Sequence, residues 1–387
     1  MRKVVLIGLV LAVSACGAPD APTSEGGPVT LNVLDVAGNL QLTQGMIDEF
    51  VEQHPDVIKK VTTSKAPAPE LAGKLKAQQD AGRLDIDIVL TGNDGLAGGI
   101  DQGLWTKLLP ANQKQLARMN NYLEPAAKMQ ELAQGYGVVV TYYPSGPLIE
   151  YNPAKVTDPP TSAQELLAWA KAHPKRVMYA RPANSGPGRT LLMGLPYILG
   201  DKDPKDPEKG WDKTWAYLAE LDKYIDYYPS GTADTMKNLG NGTVDIIATT
   251  TGWDINPRVL GTVPKEVKTS TYEGFHWVTD AHYLAVPKGI SKPKLNAILK
   301  LLDWMLTPEQ QAKAYDDGYF YPGPAIEGVT IGMAPDKSRQ AITEYGRPEY
   351  DKLIEDNPKE TPLPADQMVK AFDLWDRKIG GSKVRQS

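Results

Sequence analysis

The side chains best suited to chemistry in this chain are carboxylates and amides that lie just beyond apolar runs. Asp35 and Asn39 follow one such run and Asn93 and Asp94 another, and Asn184 with Ser185 and Trp253 with Asp254 repeat the arrangement farther along. Asp280 lies within a strand at 275–287 whose alternating side chains could face the same place. Carboxylates in such places accept hydrogen bonds from a guest or balance a cation, and the Trp253 indole offers a face for stacking. Ser185 lies in RPANSGPGR (181–189), which opens a helix. Its hydroxyl and the adjacent N–H groups therefore suit a helix cap or an anionic or carbonyl oxygen equally well. Covalent chemistry is poorly served: the sequence has no G-x-S-x-G elbow, H-E-x-x-H pair, Walker loop or Rossmann glycine fingerprint. His54, His173, His276 and His282 are scattered, and DKDPKDPEKG (201–210) lacks the EF-hand spacing, so no metal or cofactor is expected. A pair of acids such as Asp94 and Asp254 leaves one enzymatic alternative open, an exported hydrolase.

Residues that follow parallel strands converge on one edge of a sheet, and the sequence provides such strands. Strands at 31–35, 57–63 and 86–91 alternate with helices at 43–53 and 70–82. Met46, Ile47, Phe50 and Val51 share one helical face, and Ile86, Ile88, Val89 and Leu90 form the dense apolar run of a strand buried on both sides. Segments 137–142 and 148–151 read as strands around a turn, Tyr143-Pro144-Ser145-Gly146-Pro147. A second alternating block starts at Thr161 and Ser162, whose spacing to Gln164 and Glu165 gives two overlapping capping boxes. Its strands are 177–180 and 244–249, and the spacing of Trp211, Trp215, Leu218 and Ile225 predicts an amphipathic helix over 207–227 with both tryptophans in the core. Segment 275–287 returns the chain to the first block, followed by helices at 295–306, 308–315, 338–345 and 365–379. Tyr315, Tyr319, Phe320 and Tyr321 crowd around Gly318 as a pocket wall or a packing corner.

The N-terminus carries a different signal. Met1-Arg2-Lys3, an apolar run at 4–13 and the small pair Ser14-Ala15 describe a secretory signal peptide, the run being too short to span a bilayer. Val13-Ser14-Ala15-Cys16 resembles a bacterial lipobox, which implies cleavage before the single cysteine and lipidation of its thiol. Residues 16–29 then form a flexible linker, and the body is exported and anchored to the bacterial membrane by lipid, facing periplasm or cell exterior. A hydrophobic content of 41% fits a globular body, and a net charge of -5 gives no basic face for nucleic acid.

The whole mature chain resembles the extracellular solute-binding proteins of bacterial ABC importers, with the type II periplasmic-binding-protein fold. The resemblance is carried by GMIDEFVEQHPDV (45–57), DIDIVLTGND (85–94), LIEYNPAKV (148–156), PPTSAQELLAWAKAHP (159–174), GNGTVDIIATTTGW (240–253) and LLDWMLTPEQQAKAYDDGYFYPG (301–323). It is nearest the spermidine/putrescine and thiamine-type group. It implies an α/β fold of two lobes, each a mainly parallel sheet flanked by helices, with a helical C-terminal segment. The expected division is a signal peptide at 1–15, linker at 16–29, lobe one at 30–143 plus 284–335, lobe two at 144–283, and helices packing on both at 336–387. Carried over, the resemblance places Asp35, Asn39, Asn93, Asp94, Tyr143, Asn184, Ser185, Trp253, Asp254 and Asp280 on segments that face the cleft. The implied partners are a small solute and a membrane permease, and the protein is expected to be a monomer. Acids and Trp253 favour an organic cation of polyamine or thiamine type. Arg181, Arg189, Arg258 and His282 lie near the same loops, so a carbohydrate or a zwitterionic or carboxylated solute is the alternative.

Overall fold

The computed structural model describes residues 27–36 and 38–385. The expected signal peptide, Cys16 and the linker up to residue 26 lie outside the described residues. The chain begins as β1 (Val29–Asp35), α1 (Leu40–Gln53), β2 (Ile58–Lys65), α2 (Ala68–Asp80), β3 (Ile88–Thr91) and α3 (Asn93–Asp101). After α4 (Glu124–Leu132), two consecutive strands follow, β4 (Gly137–Gly146) and β5 (Leu148–Tyr151). The middle of the chain forms α5 (Ala163–Ala172), β6 (Val177–Met178), α6 (Gly186–Ile198), α7 (Asp212–Asp222), β7 (Tyr228–Pro229) and α8 (Thr232–Gly240). It continues with β8 (Ile246–Thr249), α9 (Thr251–Val259), β9 (Lys268–Ser270) and β10 (Trp277–Ala285). The last part holds α10 (Lys292–Met305), α11 (Pro308–Gln311), α12 (Asp336–Tyr345), α13 (Glu349–Asp356), β11 (Lys359–Glu360), α14 (Ala365–Trp375) and β12 (Val384–Arg385). No helix among the described residues is long and apolar enough to cross a membrane.

Two sheets centre the two lobes. The first has the order β11-β10-β3-β1-β2, with β4 on β10, and the second the order β6-β8-β5-β9. The βα units at the start pair in parallel, β1 with both β2 and β3. The strands that carry the chain between lobes run the other way: β10 is antiparallel to β3 and β4, and β5 is antiparallel to β8 and β9. The second sheet is thus more mixed than expected, with a parallel pair at β6 and β8. Of segment 143–147, read as a turn, residues 143–146 instead complete β4, and the chain passes into the second sheet at Pro147.

Apolar patterning set these elements in place. Met46, Ile47 and Phe50 are buried in the first core with Leu31, Val89 and Leu90, and Trp211, Trp215 and Leu218 are buried in the second with Leu191. Ser162 caps α5 by accepting the Glu165 N–H at 3.1 Å. The Glu165 carboxylate reaches one residue farther back, accepting the N–H and hydroxyl of Thr161 at 2.8 and 3.0 Å. Residues 251–254 open helix α9 and do not form the glycine-bounded loop expected around Gly252 and Trp253. Gly252 has a packing reason: a Cβ on it would lie 2.1 Å from the backbone nitrogen of Phe320.

Candidate functional site

Five helices start at one cavity. Gly38 before α1, Gly92 and Asp94 at α3, Ser185 and Gly186 at α6, and Gly231 to Asp234 at α8 line it, and α9 adds Trp253 from its first turn. The cavity has a volume of about 420 Å³ and is lined further by Tyr143 of β4, His282 of β10 and the aromatic turn at Tyr319 and Phe320. Its walls therefore come from both lobes and from the strands that join them. A larger groove of about 1130 Å³ lies elsewhere, between α1 and α10 and lined by Phe50, His54, Lys300 and Trp304. None of the candidate strand-end residues lines it, so the smaller cavity is the candidate site.

The charged floor explains how the walls are held. Arg189, one turn into α6, reaches Asp94 of α3 at 2.8 Å and Asp280 of β10 at 2.5 Å, all three side chains being nearly buried. Burial works against the guanidinium charge, but Asp280 and Asp94 outweigh it and hold the Arg189 pKa above its ordinary value. Asp280 also accepts the Tyr143 hydroxyl at 2.7 Å and the Asn93 amide. The aromatic side combines edge and tilted contacts: Trp253 stands edge-on to Tyr319 at 5.6 Å and His282 edge-on to Phe320 at 4.3 Å, while Phe320 lies tilted against Tyr143 and Tyr319.

The structure separates the residues named from sequence into three groups. Asp94, Tyr143, Asn184, Ser185 and Trp253 share the cavity wall. Ser185 is a helix cap as well, accepting the Gly188 N–H at 3.1 Å, and the Asn184 amide bonds the Ser230 carbonyl at 2.9 Å. Asn93 and Asp280 form the buried layer behind that wall, while Asp35 and Asn39 are buried at the start of α1, with the Asp35 carboxylate accepting the Asn39 N–H at 2.9 Å. Asp254 is the exception. It is fully buried, faces away from the cavity and binds Arg258, Arg347 and Tyr350. Of the cations expected near the loops, Arg189 and His282 line the cavity, whereas Arg181 pairs with Asp376 and Arg258 with Asp254. The segment Ser230 to Asp234 and Lys237 was missed, although Ser-Gly-Thr-Ala-Asp after Tyr227-Tyr228-Pro229 has the polar composition of a helix start. Among the described residues no group of three or more His, Cys, Asp and Glu side chains could hold a metal ion.

His282 gives the site a pH signature. Burial and the nearby Arg189 push its imidazole down to about 3, with Asp94 opposing, so it is neutral at physiological pH. An unfolded histidine titrates near about 6.5, so between these values the unfolded chain binds the extra proton. Stability contributed by the neutral ring is complete above the unfolded value and is lost as the pH falls toward the folded one, by up to about 1.4 kcal/mol per pH unit. His282→Asn is expected to flatten that part of the acid limb in urea unfolding. An unchanged slope would assign the titration to other groups.

The fold is shared with solved structures of low sequence identity. A structure of the Atu4243 GABA receptor superposes with a TM-score of 0.64 at 18% identity, covering 90% of this chain and 97% of that one. A putative spermidine/putrescine ABC transporter from Listeria monocytogenes gives 0.62 at 13% identity, with 89% and 96% covered. The periplasmic binding protein AfuA from Actinobacillus pleuropneumoniae, with fructose-6-phosphate bound, gives 0.62 at 15% identity, with 90% and 98% covered. Comparison with curated proteins by sequence gives no match. Residues 45–338 match the bacterial extracellular solute-binding protein family, and the chain belongs to it.

Proposed function

We propose that this protein is the substrate-binding component of an ABC importer, which traps a small polar solute between its lobes and delivers it to a membrane permease. The observation that carries this reading is a cavity walled by both lobes, across which Arg189 forms buried ion pairs with Asp94 and Asp280. Such a wall is complete only when the lobes are closed, so a guest touching both sides favours the closed state. Lobe boundaries at 30–143 plus 284–335 and at 144–283 put the crossings near β4 to β5 and β10. Lipid attached at Cys16 would keep the trap beside its permease and raise the local concentration. A Cys16→Ala chain that still fractionates with membranes would contradict the anchor.

The carboxylates that point toward an organic cation are already answered within the protein: Asp94 and Asp280 by Arg189, and Asp254 by Arg258 and Arg347. A polyamine would have to compete with those arginines. The hydrolase alternative loses its pair of acids, since Asp254 does not share the cavity with Asp94.

The test is a thermal-shift screen of small solutes followed by solution scattering with each hit. Compaction on binding, without product, is expected. Turnover of a hit, or binding with no compaction, would overturn the trap. Trp253→Ala should weaken the hit about tenfold through loss of the ring face, and unchanged affinity would remove Trp253 from the site.

A further inference from the structure

The character of the cavity wall goes beyond the trap reading, on which the following rests. Its ionisable side chains set Asp94 and Asp234 against Arg189 and Lys237, with His282 neutral, and Asp280 behind Arg189 adds one further negative charge. The five helix starts are added to that balance, and each behaves as roughly half a positive charge. The wall as a whole therefore favours electron-rich oxygen over ammonium.

Two of those starts face each other on the second lobe. Helix α6 begins at Gly186, has no acidic residue in its first turn, and carries Arg189 there instead. Helix α8 begins after Gly231, whose cap makes no side-chain hydrogen bond. Although Asp234 lies in its first turn, that carboxylate is answered by Lys237 at 3.3 Å, so the helix start keeps N–H groups for a partner. The two helix starts are tied together by the Ser185 and Thr232 hydroxyls, 2.8 Å apart. A second and independent observation comes from β10. His282 lines the same cavity while only 2% exposed, and its Nδ1 has no hydrogen-bond partner. A buried polar atom without a partner costs about 1–3 kcal/mol, so a ligand that supplied one would recover that cost.

We propose that the solute is an organic anion, held by a carboxylate or phosphate group between the N-termini of α6 and α8 beside Arg189 and Lys237, with its body against Trp253, Tyr319 and Phe320. Arg189 has the donors for it. Its guanidinium carries five N–H groups, and the bonds to Asp94 and Asp280 leave others for an anionic oxygen.

The purified full-length protein would be titrated with inorganic phosphate, acetate and spermidine, each against chloride at equal ionic strength, following thermal unfolding and scattering. Saturable stabilisation by phosphate or acetate and none by spermidine is expected, and the stronger of the two anions identifies the group. Lys237→Glu should weaken that anion about tenfold or more, the loss of one charge-assisted contact. Stabilisation by spermidine alone, or by neither anion, would overturn the anion assignment, as would an anion response that Lys237→Glu leaves intact. Compaction with spermidine would at the same time preserve the trap. Solute binding that never compacts the protein would sink the trap itself.

Discussion

Asp254→Ala is expected to destabilise the protein by about 3–5 kcal/mol, the usual loss when one partner of a buried ion pair is removed. The carboxylate is fully buried and bonds Arg347 at 2.6 and 2.7 Å, Arg258 at 3.0 Å and the Tyr350 hydroxyl at 2.7 Å. Without it, two guanidiniums that are 5% and 12% exposed lose their counter-charge. The same cluster contains a partial replacement. Glu150, fully buried on β5, is held well above the usual carboxylate range by burial and then by repulsion from Asp254, with Arg347 and Arg258 opposing. Removing Asp254 takes away the repulsion, so Glu150 can ionise and answer the arginines. Asp254→Ala with Glu150→Gln should therefore cost more than the two single changes added, which a double-mutant cycle in urea would read. A single-mutant loss under about 1 kcal/mol would put this cluster among weak surface pairs. Asp254→Asn protein that still folds should keep its solute affinity, because the side chain faces away from the cavity.

Asp254 also shows where a sequence stops being informative. Apolar periodicity placed Met46, Ile47 and Phe50 in the first core and Trp211 and Trp215 in the second, because burial follows pattern wherever the element type is right. The rule that strand ends face a shared cleft put Asp94, Ser185 and Trp253 on one wall. Direction was not legible. As a loop, Trp253 and Asp254 could both face a guest. In the first turn of α9 they diverge by about 100°, so the ring meets the cavity while the carboxylate turns behind it. Its partner Arg347 is far along the chain, and no local spacing announces that contact. The missed start of α8 has a similar cause: β7 before it is too short to read as a strand, so nothing marked the following residues as strand-end residues.

Arg189→Met should have the second large effect, and its pH dependence separates an electrostatic cause from lost packing. Methionine keeps much of the apolar stem but leaves Asp94 and Asp280 in a nearly dry site without their shared cation. The expected loss at neutral pH is again about 3–5 kcal/mol. Two like charges left in a dry site repel each other, and acid relieves that repulsion, so the deficit should shrink on acidification toward about pH 4. A deficit independent of pH would mean that the side chain acts by packing alone. Asp94→Asn is the gentler companion, because Arg189 keeps Asp280 while losing its charged partner on α3. If that contact helps to hold the lobes together, this variant should scatter as a more open particle without solute and close again when solute binds. A variant as compact as the parent without solute would assign closure to the aromatic wall and the packing of α14 on α3, and Arg189 would then serve the cavity floor only.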